Sequence, residues 1–289
     1  MQLVSIFSVI RLLINSMTIH LVLIDALNLI RRIYAVQERP FLMNNELGEN
    51  TKQQVVYNTA KGCDQALSKI IKLLSPSHAL AVFDSQAPCW RYKIYPDYKK
   101  DRKKMPEHLA NNLSNIQDLF MKQHVDSLLS EEDEADDLIA TLAVKVALRS
   151  QNVTIISTDK SFLSLLSPHI KVYDYFNRRY LDETYVVDKF NVKPDKLMDL
   201  WTLTGDNTNK IPGVAGIGQV TASQLLNQYG SIKSILNADD LKNSVSEKLE
   251  QHVEQIELSQ QLLKLKLDIP LGFNLKDIRL PIESFVEQL

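Results

Sequence analysis

Three short runs along the chain are apolar and β-branched up to a terminal acid: Ile19 to Asp25 (IHLVLID), His78 to Asp84 (HALAVFD) and Val153 to Asp159 (VTIISTD). Runs of this length without alternation predict strands buried on both faces, as in a parallel sheet. Helical patterns lie between them, so the expected fold is α/β, a mainly parallel central sheet flanked by helices. Ligands of such sheets bind beyond the carboxyl ends of the strands, where all three aspartates would stand.

After Glu131, residues Ala135, Leu138, Ile139, Leu142, Ala143 and Val146 recur at helical spacing. On that helix Glu134 and Asp137, three apart, share a face, and Asp136 is rotated about 100° from Asp137. From residue 185 the texture changes to short helical stretches and loops, including Pro194 to Leu203 and Thr221 to Tyr229. Three units follow: an extension over 1–16, an α/β domain over 17–184 and a small helical domain over 185–289. Four of the eight glycines, Gly205, Gly213, Gly216 and Gly218, fall within one short stretch of the last of these. There GVAGIGQVTASQLL resembles a helix-hairpin-helix element, whose glycine turn lets backbone N–H groups approach a phosphate; a tight interhelical turn is the plain alternative. Arg39 to Gln54 reads as a polar surface loop after the first motif.

Composition, at 45% hydrophobic and 24% charged, excludes a disordered or fibrous chain. A net charge of −2 hides strong segregation: Arg91 to Lys104 carries seven basic residues against two acidic, and Glu131 to Asp137 holds six acids in seven positions. One segment can draw in a polyanion while the other holds cations. Two cysteines, Cys63 and Cys89, make no disulfide framework, which favours a reducing, cytoplasmic setting. Residues 1–16 are apolar but interrupted by Arg11 and too short to span a bilayer. They read as a dispensable extension ahead of Met17. The absence of G-x-x-x-x-G-K-[ST] and of a post-strand G-x-G-x-x-G argues against a nucleotide cofactor.

Taken singly, each strand-end aspartate is an ordinary turn former or cap, and acids at a helix start complement its dipole. Converged on one sheet edge, Asp25, Asp84 and Asp159 would repel one another strongly without a cation. Asp136 and its neighbours on the helix add to that edge.

The segments LVLIDALNLIRRIYAVQ, AVFDSQAPCWRYKIYPDYKKDR, EADDLIATLAVKV, STDKSFLSLLSP and IPGVAGIGQVTASQLL, in this order, resemble the 5′-nuclease or flap endonuclease superfamily, most of all its small bacterial Xni (exonuclease IX-like) type. The resemblance implies a PIN-like nuclease core with a helix-hairpin-helix (three-turn) domain that binds DNA. It implies a first Mg²⁺ site from Asp25, Asp84, Glu134, Asp136 and Asp137, with Asp136 as principal ligand. Tyr98, Lys99 and Arg102 match the family's Y-K-x-x-R, in which the cations engage the scissile phosphate and the tyrosine stacks on a base. Gly216, Ile217, Gly218, Gln219, Val220 and Thr221 correspond to the segment that holds duplex backbone, and the carbonyls of Leu203, Thr204, Pro212, Val214 and Ile217 to a K⁺ site. At the second metal site, Ser161 and Asn209 stand where acids are usual. Only Asp159 and Asp206 remain, and Lys210 is expected to add repulsion, so a second Mg²⁺ should be weak, DNA-assisted or absent. The implied function is a monomeric flap endonuclease acting on 5′-flap junctions, away from membranes. Two alternatives are a flap- or junction-binding protein that does not cut and a PIN-like ribonuclease.

Overall fold

The computed structural model describes residues 18–41, 48–85 and 87–281. The reading of residues 1–16 lies outside them. Six strands form one sheet in the order β3-β2-β1-β4-β5-β6: β1 His20–Asp25, β2 His78–Phe83, β3 Asp126–Leu129, β4 Asn152–Ile156, β5 Ile170–Asp174 and β6 Arg179–Tyr180. Every pairing is parallel except that of β5 with β6. The three strands read from hydrophobicity are neighbours, with β1 between β2 and β4. The third ends earlier than its sequence suggests, at Ile156, because Ser157 Oγ turns to Asp25 and Asp159 caps a 3₁₀ turn over Lys160–Leu165.

Continuous hydrophobicity in β1 has a direct cause. Leu21 and Leu23 point into one apolar cluster and Val22 and Ile24 into another, so both faces are covered. On one side lie α1 (Ala26–Glu38), α2 (Glu49–Leu74) and α3 (Leu113–Lys122). On the other lies α4 (Ala135–Ala147), whose stripe of Ala135, Leu138, Ile139, Leu142, Ala143 and Val146 is buried throughout.

Where it is described, the polar stretch from Arg39 to Gln54 is largely helical. Arg39–Phe41 is a 3₁₀ turn, and the 26-residue helix α2 begins at Glu49. Its first turn is polar because it extends beyond the core, which it enters at Val55.

Beyond α5 (Glu183–Phe190) the chain is helical, with α6 (Leu197–Thr204), α7 (Gln219–Tyr229) and α8 (Val253–Leu263). These helices share a core with the sheet: Leu200, Trp201, Leu203, Val214, Ile217 and Leu226 join the cluster that contains Leu21 and Leu23. At the turn between α6 and α7, a Cβ on Gly213 would lie 2.2 Å from the Thr204 carbonyl carbon and 2.3 Å from the Gly205 nitrogen. Glycine at 213 therefore serves a backbone-to-backbone contact inside the protein. Gly213→Ala should cost about 2 kcal/mol through overpacking, seen as a lower urea midpoint with unchanged slope. Gly216, at φ +75°, supplies the left-handed turn of the exposed hairpin.

Candidate active site

Both the parallel pairing and the reversal of strand order between β1 and β4 put a crevice beyond the carboxyl ends of these strands. Asp25 ends β1, Asp84 follows β2, and Asp159 follows β4 by three residues. Asp136 enters from the first turn of α4. The cleft is lined by Asp136, Asp159, Lys160, Ser161, Asp206 and Asn209, among others.

Asp25 is buried and pinned, its Oδ1 accepting from the Asn28 N–H at 3.2 Å and its Oδ2 from Ser157 Oγ at 2.7 Å. Burial, with Asp159 and Asp84 adding to it against the Ser157 hydrogen bond, pushes its pKa up to about 7. Asp136 is raised well above the ordinary carboxylate range by burial and by Asp159, Asp25 and Asp84, with Lys99 opposing. Asp84 is raised by burial, although its Oδ1 accepts the Ala135 N–H at 2.7 Å. These mutual effects show four carboxylates, Asp25, Asp84, Asp136 and Asp159, sharing one site. Among the described residues no three His, Cys, Asp or Glu side chains close into a ready cage for an ion. The donor set still fits Mg²⁺, which takes one or two carboxylates directly and meets others through water. Carboxylates that hold one another's pKa up are those that a divalent cation would relieve.

Glu134 and Asp137 share a face, as their spacing requires, but that face is turned to Arg91. Arg91 Nη1 donates to Glu134 Oε2 and to Asp137 Oδ2, both at 2.7 Å, and Nη2 donates to Asp137 Oδ1 at 2.8 Å. Asp137 also accepts from Trp90 Nε1 at 3.0 Å and from the Lys266 N–H at 3.0 Å. It is fully buried, and its pKa lies below the usual range because Arg91 outweighs the cost of burial. Both oxygens of this expected metal ligand are thus engaged by Arg91, Trp90 and the Lys266 N–H. Arg91 completes the knot by donating through Nε to the Leu262 carbonyl at 2.8 Å and through Nη2 to that of Lys264 at 2.9 Å. Thus the buried pair ties α4 to the segment that follows α8.

Glu134 sits between the two groups. Burial would raise its pKa, but Lys99 and Arg91 together hold it below normal. Lys99 forms an ion pair with it, and Tyr98 Oη donates to its Oε2 at 2.9 Å. Tyr98, the residue expected to stack on a base, is only 3% exposed, with its ring edge-on to Tyr92 and its phenol donating to Glu134. Lys99 is held at φ +52°, with its N–H donating to the Asn209 carbonyl at 2.9 Å, which aims the side chain at the acids. Arg102 is exposed and close enough to Asp84 to influence it. Arg31 on α1 is not distinguished from Arg32 by the sequence, yet burial and Arg102 lower its pKa while Asp84 raises it, placing it at this edge.

On the far side of the cleft, Asp206 is partnered by Lys160, whose Nζ is 2.9 Å from its Oδ1, and by Asn209 Nδ2 at 2.8 Å from its Oδ2. The cation expected there, Lys210, instead pairs with Asp101 at 2.9 Å. In the hairpin, Gly216, Gly218 and Gln219 are exposed and Val220 is 71% exposed, whereas Ile217 is buried.

Residues 20–191 match the family model for the 5′-3′ exonuclease N-terminal resolvase-like domain, and residues 192–284 match that for the 5′-3′ exonuclease C-terminal SAM fold. The chain belongs to the 5′-3′ exonuclease family. It is 66% identical over 278 residues to the flap endonuclease Xni of Colwellia psychrerythraea, covering 94% of this chain and 96% of that one. Against the flap endonuclease Xni of Photobacterium profundum the identity is 51%, covering 91% and 98%. This exonuclease-family fold is also that of the T5 5′-exonuclease solved with zinc, with a TM-score of 0.70 at 21% identity, covering 85% of this chain and 89% of that one. The chain is thus a nuclease with an α/β core and a helical C-terminal region. No helix among the described residues is long and apolar enough to cross a membrane.

Proposed function

We propose that the chain is a Mg²⁺-dependent flap endonuclease that hydrolyses phosphodiester bonds in the 5′-overhanging strand at a junction of single-stranded and duplex DNA. The observation that carries this is the meeting of Asp25, Asp84, Asp136 and Asp159 at the sheet edge, with Lys99, Arg102 and Arg31 beside them. The relatives named flap endonuclease Xni supply the branched substrate. A structural neighbour at TM-score 0.66, T5 D15 flap endonuclease, was crystallised as a pseudo-enzyme-product complex with DNA and metal ions, which supports both ligands.

Asp136 would hold Mg²⁺ directly, and Asp25, Asp84 and Glu134 would meet it through water, with Asp159 beside them. When bound, the ion supplies Lewis acidity toward water and toward the phosphate oxygens. Lys99 and Arg102 orient the scissile phosphate and offset the charge that grows on it, at a place where Glu134 keeps the lysine protonated. The segment from Gly216 to Thr221, whose Gly216, Gly218, Gln219 and Val220 are exposed, holds duplex backbone. Gly213 brings the Thr204 carbonyl against the Pro212 to Ile217 segment, which supports a K⁺ site on the carbonyls of Leu203, Thr204, Pro212, Val214 and Ile217. The enzyme acts as a cytoplasmic monomer in this reading.

Incubation of a 5′-labelled flap with Mg²⁺ tests the proposal, and no cleavage beyond an Asp136→Asn control sinks it. The filled surroundings of Asp206 favour one second reading, a junction-binding protein that does not cut. Tight flap binding without turnover at any Mg²⁺ or Mn²⁺ level would establish it. An all-RNA flap cut as readily as DNA would favour a ribonuclease.

A metal dependence of stability follows as well. The pKa of Asp25 is about 7 when folded against 3.8 as a free carboxyl. Such a group contributes stability that is present below the unfolded value and lost as pH rises through about 7. Near pH 5 Mg²⁺ must displace a proton from Asp25, whereas near pH 8 it meets repelling carboxylates. The rise in melting temperature on adding Mg²⁺ should therefore be larger at pH 8 than at pH 5. Equal rises, measured by differential scanning fluorimetry, would refute this.

A further inference from the structure

Cations close to the cleft are engaged by acids: Lys99 by Glu134, Lys160 by Asp206 and Lys210 by Asp101. Arg179 of β6 and Lys189 of α5 differ, for both are exposed and neither forms an ion pair among the described residues. The acids nearby are placed otherwise. Asp182 accepts the Tyr185 N–H at 2.9 Å as the cap of α5, Glu183 lies about 200° around the helix from Tyr185, and Asp188 is rotated about 100° from Lys189. Both cations instead lie over one ring, Arg179 Cζ at 4.9 Å and Lys189 Nζ at 5.2 Å from the centre of Tyr185, whose hydroxyl also accepts from Lys189 Nζ at 2.8 Å. Like charges so close repel, and anions laid along them would relieve that repulsion. The pair is also fastened to the hairpin. Gln219 Nε2 donates to the Lys189 carbonyl at 2.8 Å, and Asn227 Nδ2 donates to the Asn191 carbonyl at 2.8 Å, so the start of α7, where Gly218, Gln219 and Val220 are exposed, abuts the end of α5.

We propose that Arg179 and Lys189, held by Tyr185, extend the duplex-binding surface beyond the hairpin, along α5 to the edge strand β6, each neutralising one phosphate of the duplex arm. This rests on the reading of Gly216 to Thr221 as the segment that holds duplex backbone. Backbone fits this surface better than an unpaired base does, because the Tyr185 ring is half-buried and engaged by two cations, which leaves it poorly placed for stacking. The guanidinium offers a fork to phosphate oxygens and the ammonium a point charge. Such contacts add affinity for the duplex arm without sequence preference.

Fluorescence anisotropy of a labelled 5′ flap titrated with the full chain, in EDTA so that no strand is cut, reads this surface through its salt dependence. The slope of log Kd against log salt changes by about 0.9 for each duplex phosphate neutralised. Arg179→Gln/Lys189→Gln should therefore bind the flap with a slope lower by about 1.8, so that over a fourfold rise in salt it loses roughly tenfold less affinity than the wild type. Arg179→Lys/Lys189→Arg, which keeps both charges, should keep the wild-type slope. On the unpaired strand alone the Gln variant and the wild type should bind alike. An unchanged slope on the flap, or an equal drop on the single strand, overturns the proposal. Wild-type binding to the flap no tighter than to the single strand overturns the hairpin reading itself, and this inference with it. Both side chains are exposed, so the variants should melt with the wild type, and a shared melting curve separates a lost contact from a folding defect.

Discussion

Asp136→Asn should lower flap cleavage roughly 1,000-fold, about 4 kcal/mol of transition-state stabilisation, while making the metal-free protein more stable. Both effects have the same origin. Asp136 stands at the cleft wall among Asp159, Asp25 and Asp84, which push its pKa well above that of an ordinary carboxylate. Replacing it with a neutral isostere removes that repulsion and with it the principal contact to a divalent ion. A gain of about 1 kcal/mol would raise the melting temperature by roughly 2–4 °C for a chain of this size. Single-turnover cleavage and a thermal melt in EDTA measure the two halves. A variant that loses activity and also melts lower would place Asp136 in the architecture instead.

One residue along the chain, the outcome reverses. Asp137→Ala should destabilise the protein by about 3 kcal/mol, the cost of taking from a buried charge one of its two carboxylate partners. The guanidinium of Arg91 would lose both oxygens it now holds at 2.7 and 2.8 Å, and the Lys266 N–H and Trp90 Nε1 would lose their acceptor. A fall of roughly 10 °C in melting temperature follows. Cleavage measured well below that temperature should persist within about tenfold, because Asp137 faces away from the cleft. If Asp137→Ala were as inactive as Asp136→Asn yet melted like the wild type, the residue would have to act on the metal after all.

Opposite fates for adjacent acids mark the limit of what can be read from a pattern. Spacing alone puts Glu134 and Asp137 on one face of α4 and Asp136 about 100° away. Which face meets the cleft depends on Arg91, 46 residues before Asp137, and on the Leu262 and Lys264 carbonyls that hold that arginine. Likewise Tyr98 belongs to a basic, aromatic segment that suits nucleic acid, but burial against Glu134 and Tyr92 decides its role. Lys160 and Lys210 are both plausible neighbours of Asp206, and only the packing of the turn after β4 selects Lys160.

The sequence by itself determined the parts governed by local preference and burial. Unbroken apolar runs specify strands covered on both faces, their terminal aspartates fall at the carboxyl edge, and the period of α4 fixes its buried stripe. Short strands such as β3, with its half-exposed residues, carry no such signal and form because β2 offers a free edge. Only the tertiary structure decided which charges are spent on one another and which remain for a ligand. Ion pairs are made between side chains distant in sequence, and their strength depends on burial that no local pattern encodes. Asp137 is therefore a structural anchor, while Asp136 beside it is left with its charge facing the cleft.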